Sequence, residues 1–357
     1  MRAPRETLSL IGHAEAERLA GEALSGDRVP QAWLLTGPPG VGKATFAYRM
    51  ARFLLTGAGS DAGPSLFGDA APATGLGVDP DHPAVRQIAA GSHPDLLVIE
   101  RAMDEKKDKL KAAISVDQVR EIGQFLHLTA SQGGWRIVIV DTADEMNTNA
   151  ANALLKVLEE PPKRSMLLLV SNTPGRLLPT IRSRCRLLRF SPLADAEVRA
   201  VAAEVLDAGE TLDPIAVLLA DGAPGRALAL AEPETRAVLT DLLALLKQGA
   251  RLDPLALHAF ADKLGKAGAD ALYRSFLDLF DAWLMRIIRH TARTGSPPND
   301  LPGEADAAQA AIAAAGSLDR LIEVWEKNGQ LFRQTDGLNL DRKQAVLSAL
   351  LPLTLRP

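Results

Sequence analysis

Residues Gly37–Lys43 read G-P-P-G-V-G-K and sit between an apolar pentapeptide and a helix-patterned stretch. A loop of this composition lets consecutive backbone N–H groups wrap phosphate oxygens, with the lysine reaching the outer phosphates. Its flanks supply the context the motif needs. Ala32–Thr36 (A-W-L-L-T) is a strand candidate. Ala44–Leu55 places Phe46, Ala47, Met50, Phe53 and Leu54 on one helical side. A strand–loop–helix unit of this kind buries itself only as part of a parallel sheet. The candidate nucleotide-contacting residues are therefore Gly37, Pro38, Pro39, Gly40, Val41, Gly42 and Lys43, with Ala44 and Thr45 opening the helix. Ala44 stands where the pattern calls for the Ser or Thr whose hydroxyl holds Mg²⁺. Thr45 is a poor substitute, because one helical step turns a side chain by about 100°.

The strand signal recurs at Leu96–Glu100, Arg136–Val140, Met166–Val170 and Arg186–Phe190. Strands separated by helical patterns predict a parallel five-stranded α/β sheet covered on both faces. Two stretches break the rhythm. Thr56–Asp81 is rich in Gly, Ala, Pro and Asp and reads as a mobile surface loop, and the charge run Asp104–Lys111 (D-E-K-K-D-K-L-K) reads as a solvated loop, with nucleic-acid contact the alternative. Ser115 or Asp117 caps the helix that follows. After Phe190 the strands stop, and Leu- and Ala-rich helices take over. The expected organisation is a phosphate-loop domain over 1–190, a small helical domain over 191–234, and a helical domain over 235–357. Trp283 and Trp325 are expected to pack among those last helices.

Composition narrows the function. A net charge of −4 gives no global nucleic-acid footprint, and a single cysteine, Cys185, rules out a disulfide framework or a Cys-based zinc site within the chain. The first ten residues lack the apolar core of a signal peptide, and no run of about 18 uncharged apolar residues predicts a membrane span. A cytoplasmic setting is the expectation.

Two further motifs bear on chemistry. The strand Arg136–Val140 ends in Asp141, where a carboxylate would help hold Mg²⁺; capping of the next helix is the alternative. The water-activating Glu that usually follows is replaced by Thr142, which is no general base near neutral pH. Asp144 and Glu145 come too late to replace it. Ala44 and Thr142 together predict a chain that does not hydrolyse ATP, while Lys43 and the loop glycines leave weak ATP or ADP binding open. Ser183-Arg184-Cys185 then places an arginine just before the last strand. Such a residue forms a surface ion pair or stabilises charge on a neighbour's γ-phosphate.

The segment Asn149–Pro162 (N-A-A-N-A-L-L-K-V-L-E-E-P-P), with Ser183-Arg184-Cys185, strongly resembles bacterial DNA polymerase III clamp-loader subunits. His93-Pro94-Asp95, Val116–Arg120 and Pro224–Leu228 extend the resemblance, and the altered Ala44 and Thr142 point to its delta-prime branch. The resemblance implies an AAA+ module, a helical lid and a helical collar joining delta and three gamma/tau subunits. That assembly places the β sliding clamp on primed DNA. It implies Arg184 as an arginine finger acting in trans, with Ser183 positioning its loop and Cys185 packed rather than reactive. It also implies a monomer in isolation, no membrane, and no required cofactor. The four-cysteine zinc module of many relatives is missing at Thr56–Asp81, so no zinc is expected. Gly225 falls where active relatives carry a sensor arginine, with Arg226 one step on. Ser171 and Asn172 lie at the other sensor, to touch phosphate or to cap a turn. An active gamma/tau-type ATPase would need the missing hydroxyl and Glu. A small-molecule phosphotransferase would need a lid rich in arginines. A purely structural scaffold would leave Arg184 as a salt bridge.

Overall fold

The computed structural model describes residues 3–26, 29–57, 75–104, 109–111, 113–131, 134–206, 211–266, 268–338 and 340–354. Most of the expected surface loop, residues 58–74, and the middle of the charge run, residues 105–108, lie outside them. Contacts divide the chain into two units. One comprises 1–210 with 222–225, and the other 211–221 with 226–357. The segment expected as a separate domain, 191–234, is thus shared between them, and contacts alone do not set it apart as a third body.

The first unit runs α1 (Ala14–Leu24), β1 (Ala32–Thr36), α2 (Lys43–Leu55), α3 (Pro83–Ala89) and β2 (Leu96–Ile99). A ribbon of β3 (Met103–Asp104) and β4 (Lys109–Leu110) follows, then α4 (Val116–His127) and β5 (Arg136–Val140). It continues with α5 (Thr148–Glu159), β6 (Ser165–Ser171), α6 (Pro179–Arg182), β7 (Arg186–Arg189) and α7 (Asp195–Val205). The main sheet has five parallel strands in the order β2-β5-β6-β1-β7. The central strands β1, β5 and β6 are buried along their whole length, which is why they read as unbroken apolar runs. One apolar layer sets Trp33, Leu35, Phe46 and Met50 against one sheet face, and the other sets Leu34, Val138, Leu154 and Leu169 against the opposite face.

The expected strands are found with ends shifted by a residue or so. β6 gains Ser165, which pairs with Arg136 on β5, and Ser171, because the ladder to β1 continues to Thr36. Ser115 is the cap of α4: its hydroxyl accepts from the Gln118 N–H, while the Gln118 side chain reaches back to the Ser115 N–H. The charge run departs from the loop expected there. Its ends pair as the antiparallel ribbon, Met103 with Leu110 and Asp104 with Lys109, a contact too short for periodicity to reveal.

The second unit is helical: α8 (Pro214–Ala220), the latter part of α9 (Pro224–Leu230), α10 (Pro233–Leu246), α11 (Pro254–Gly265), α12 (Asp270–Thr294), α13 (Glu304–Ala315), α14 (Leu318–Leu338) and α15 (Arg342–Leu350). Trp283 is fully buried in its core, with Phe276 stacked on Phe280. Trp325 is half-buried, and its Nε1–H donates to Asp281 at 2.7 Å.

Candidate functional site

The phosphate loop leaves the C-terminal end of β1. Its glycines answer to geometry. Gly37, Gly40 and Gly42 all have positive φ, and a Cβ on Gly37 would meet the Phe190 carbonyl oxygen at 2.4 Å. Lys43 does not reach outward. Its side chain is buried, and Nζ donates to the carbonyls of Gly37 at 2.7 Å and Pro38 at 2.5 Å. Burial pushes its pKa down to about 8, against the pull of the Asp141 and Asp144 carboxylates.

The rest of the loop is also tied to protein. His13 Nε2–H donates to the Val41 carbonyl at 2.7 Å, and burial lowers the imidazole pKa against that bond. The Gly225 N–H donates to the Gly40 carbonyl at 2.9 Å. The two glycines pack so closely that a Cβ on Gly225 would stand 3.0 Å from Gly40 Cα. Ala44 and Thr45 are half-buried at the start of α2.

Asp141 ends β5, and burial raises its carboxyl pKa. It caps no helix: the short helical turn Ala143–Glu145 is entered through Thr142, which has φ 53°. The two later carboxylates are committed elsewhere. Asp144 accepts from the Asn172 and Thr173 N–H groups at 3.0 and 3.1 Å, and Glu145 pairs with Arg101 at 2.7 Å. Asp144 thus holds the turn after β6. The Ser171 hydroxyl just before it is buried without a hydrogen-bond partner among the described residues. Arg226 belongs to the second unit. It lies near Asp278, whose carboxyl pKa is raised by burial and lowered by that arginine.

Ser183-Arg184-Cys185 joins α6 to β7. The Ser183 hydroxyl donates to the Thr180 carbonyl at 3.1 Å. Arg184 is exposed: Nη1–H donates to the same carbonyl at 3.0 Å, and Nη2–H donates to Glu159 Oε1 at 3.0 Å. Cys185 is packed beneath the strand, and burial pushes its thiol pKa up to about 12, far from a reactive thiolate. The sheet fixes where Arg184 stands relative to the loop. β7 runs parallel to β1 with Arg189 beside Thr36, so the loop follows one end of the pair and Arg184 precedes the other. Five residues separate Arg184 from Arg189, about 16 Å at roughly 3.3 Å per residue. The phosphate loop and Arg184 occupy opposite ends of the sheet.

Residues 12–194 match the family model described as DNA polymerase III, delta subunit. The chain belongs to the DNA polymerase III delta-subunit family. The delta' subunit of Pseudomonas aeruginosa is 40% identical over 235 residues, which is 63% of this chain and 64% of that protein. The delta' subunit of Escherichia coli is 40% identical over 144 residues, 40% of this chain and 41% of that protein. A gamma/tau subunit of Mycobacterium tuberculosis is 26% identical over 292 residues, 78% of this chain and 46% of that protein. The chain thus spans less than two thirds of these relatives' lengths, and the stronger likeness is to delta-prime subunits.

For a member of this family, the structure brings Lys43, Ala44 and Asp141 to one end of the sheet and sets Ser183 and Arg184 apart from them. Sequence reasoning missed three contributors: Asp144 as the holder of the turn after β6, Gly225 as a contact of the loop, and Glu159 as the partner of Arg184. Glu159 lies within the Asn149–Pro162 motif, but its partner is 25 residues away and no local spacing reveals it.

Proposed function

We propose that this chain is a delta-prime-type stator subunit of a DNA polymerase III clamp loader, an AAA+ subunit that does not itself hydrolyse ATP. On this reading it joins delta and gamma/tau subunits in a hetero-pentamer that loads the β sliding clamp on primer-template DNA in the cytoplasm. Arg184 serves a neighbouring gamma/tau subunit's ATP. Family membership supports the setting. The observation that carries the trans assignment is the placement of Arg184 at the sheet end remote from its own phosphate loop. An arginine about 16 Å away along the strands cannot stabilise charge at its own loop, and an exposed arginine at a sheet edge keeps N–H groups that can serve another chain.

The silent site follows from chemistry. Ala44 offers no hydroxyl to Mg²⁺, Thr142 offers no base to water, and Asp144 and Glu145 are occupied by other partners. Lys43 would have to leave two carbonyls to meet a phosphate. The residues therefore fit a metal–nucleotide pair poorly, and weak nucleotide binding without turnover is the proposed limit. Neither zinc nor any other cofactor is required.

The test is ATP turnover by a loader reconstituted with gamma/tau, delta, β clamp and primed DNA, comparing wild type with Arg184→Ala. A trans-acting arginine is worth roughly 10³–10⁵ in rate at the site it serves, so a clear loss with intact assembly is expected. Unchanged turnover would leave the scaffold role. Robust turnover by the isolated chain would refute the silent site.

A further inference from the structure

The Arg184 guanidinium is held by two groups on separate elements. Thr180 supplies a carbonyl from α6, and Glu159, the last residue of α5, supplies a carboxylate. Both elements are anchored in the core next to these residues, by Ile181 and by Leu154 and Leu158. The side chain of Arg184 is 36% exposed and that of Glu159 53% exposed. An ion pair this wet adds little to stability, so the fold does not need it. Geometry gives it another use. An arginine carries five N–H donors in one rigid plane on a flexible stem. Here one N–H on each terminal nitrogen is engaged, so the plane is fixed while Nε–H and the other N–H groups stay available.

We propose that Glu159 is a positioning residue for Arg184: with the Thr180 carbonyl, its carboxylate holds the guanidinium in the plane from which the remaining N–H groups meet a neighbouring subunit's nucleotide phosphate. This rests on the trans-arginine reading above. The carboxylate touches no reacting atom and acts only through Arg184. Pre-orienting a long side chain lowers the ordering cost at the moment of reaction, and misplacement of a reacting group by about 1 Å can cost on the order of 100-fold. Part of that range is expected here, because the Thr180 contact remains when Glu159 is lost.

The experiment uses the reconstituted loader with clamp and primed DNA, comparing Glu159→Ala, Glu159→Gln, Arg184→Ala and the double variant Glu159→Ala/Arg184→Ala. Glu159→Ala is expected to lower kcat at the ATP site that Arg184 serves, read with the other gamma/tau sites silenced, by on the order of ten-fold with KM unchanged, the pattern of an interaction realised in the transition state. Glu159→Gln keeps an oxygen acceptor and should recover most of the rate. In the double variant the Glu159 change should add nothing to Arg184→Ala, and the melting temperature of the chain should not move. Wild-type kcat in Glu159→Ala overturns the proposal, as does an equal further loss in the Arg184→Ala background. A Glu159→Gln variant no better than Glu159→Ala overturns it too. An Arg184→Ala loader with wild-type turnover is a different failure: it removes the trans-arginine reading itself.

Discussion

At the scale of single residues, the phosphate loop of this chain is tied down by internal hydrogen bonds. Lys43 keeps its charge in a buried place, satisfied by two loop carbonyls and, among the described residues, by no direct ion pair. That carries a linkage. Its pKa in the folded chain is about 8, below its ordinary value of 10.5. Below about pH 8 both folded and unfolded chains hold the proton, and the burial cost is present in full. Between about pH 8 and 10.5 the unfolded chain binds more protons, so the contribution of Lys43 to stability rises with pH. Chemical denaturation of wild type against Lys43→Met should show the difference moving in the wild type's favour across that window, by on the order of 3 kcal/mol. A flat difference would mean that Lys43 is not desolvated. Ala44 and Thr142 were legible at this scale because a motif names the residue type each position wants. Glu159 and Asp144 were not, because their meaning lies in hydrogen bonds to chain 25 or more residues away.

At the scale of elements, the parallel sheet was legible for a plain reason. β1, β5 and β6 are buried on both faces and so appear as continuous apolar runs. The β3–β4 ribbon was hidden, since two-residue strands carry no period. The approach of Gly225 to the loop was equally hidden. At an ordinary helical position Gly→Ala stabilises by about 1 kcal/mol. At Gly225 the added methyl would meet backbone atoms of Gly40 at 3.0 and 3.2 Å, and backbone yields less readily than a side-chain tip. Gly225→Ala is therefore expected to destabilise the first unit by about 1–3 kcal/mol, the usual cost of overpacking. Denaturant-dependent hydrogen exchange in β1, β5 and β6 measures it. A gain in stability would show that the Gly225–Gly40 contact is loose.

At the scale of the whole molecule, the two units rest on different supports. The first depends on its sheet. The second depends on helix packing and on one buried ionic cluster, in which Glu304 has no exposed surface. Glu304 accepts from Arg286 Nε at 2.9 Å and from the Asp300 and Leu301 N–H groups at 3.0 and 3.1 Å, while Arg286 also pairs with Asp300. Glu304→Ala leaves the Arg286 Nε–H and two backbone N–H groups without their acceptor, a loss of about 3–5 kcal/mol, although Asp300 still pairs with the guanidinium. Hydrogen exchange should show protection falling in α12 and α13 while β1, β5 and β6 keep theirs; loss spread evenly over both units would contradict it. The opposite placement of Arg184 and the phosphate loop has one more consequence. It gives the first unit a front and a back, so that, on the reading proposed above, modules of this kind would queue facing the same way, each answering to the one behind. On that reading, a member that prompts but never answers belongs at the head of the queue.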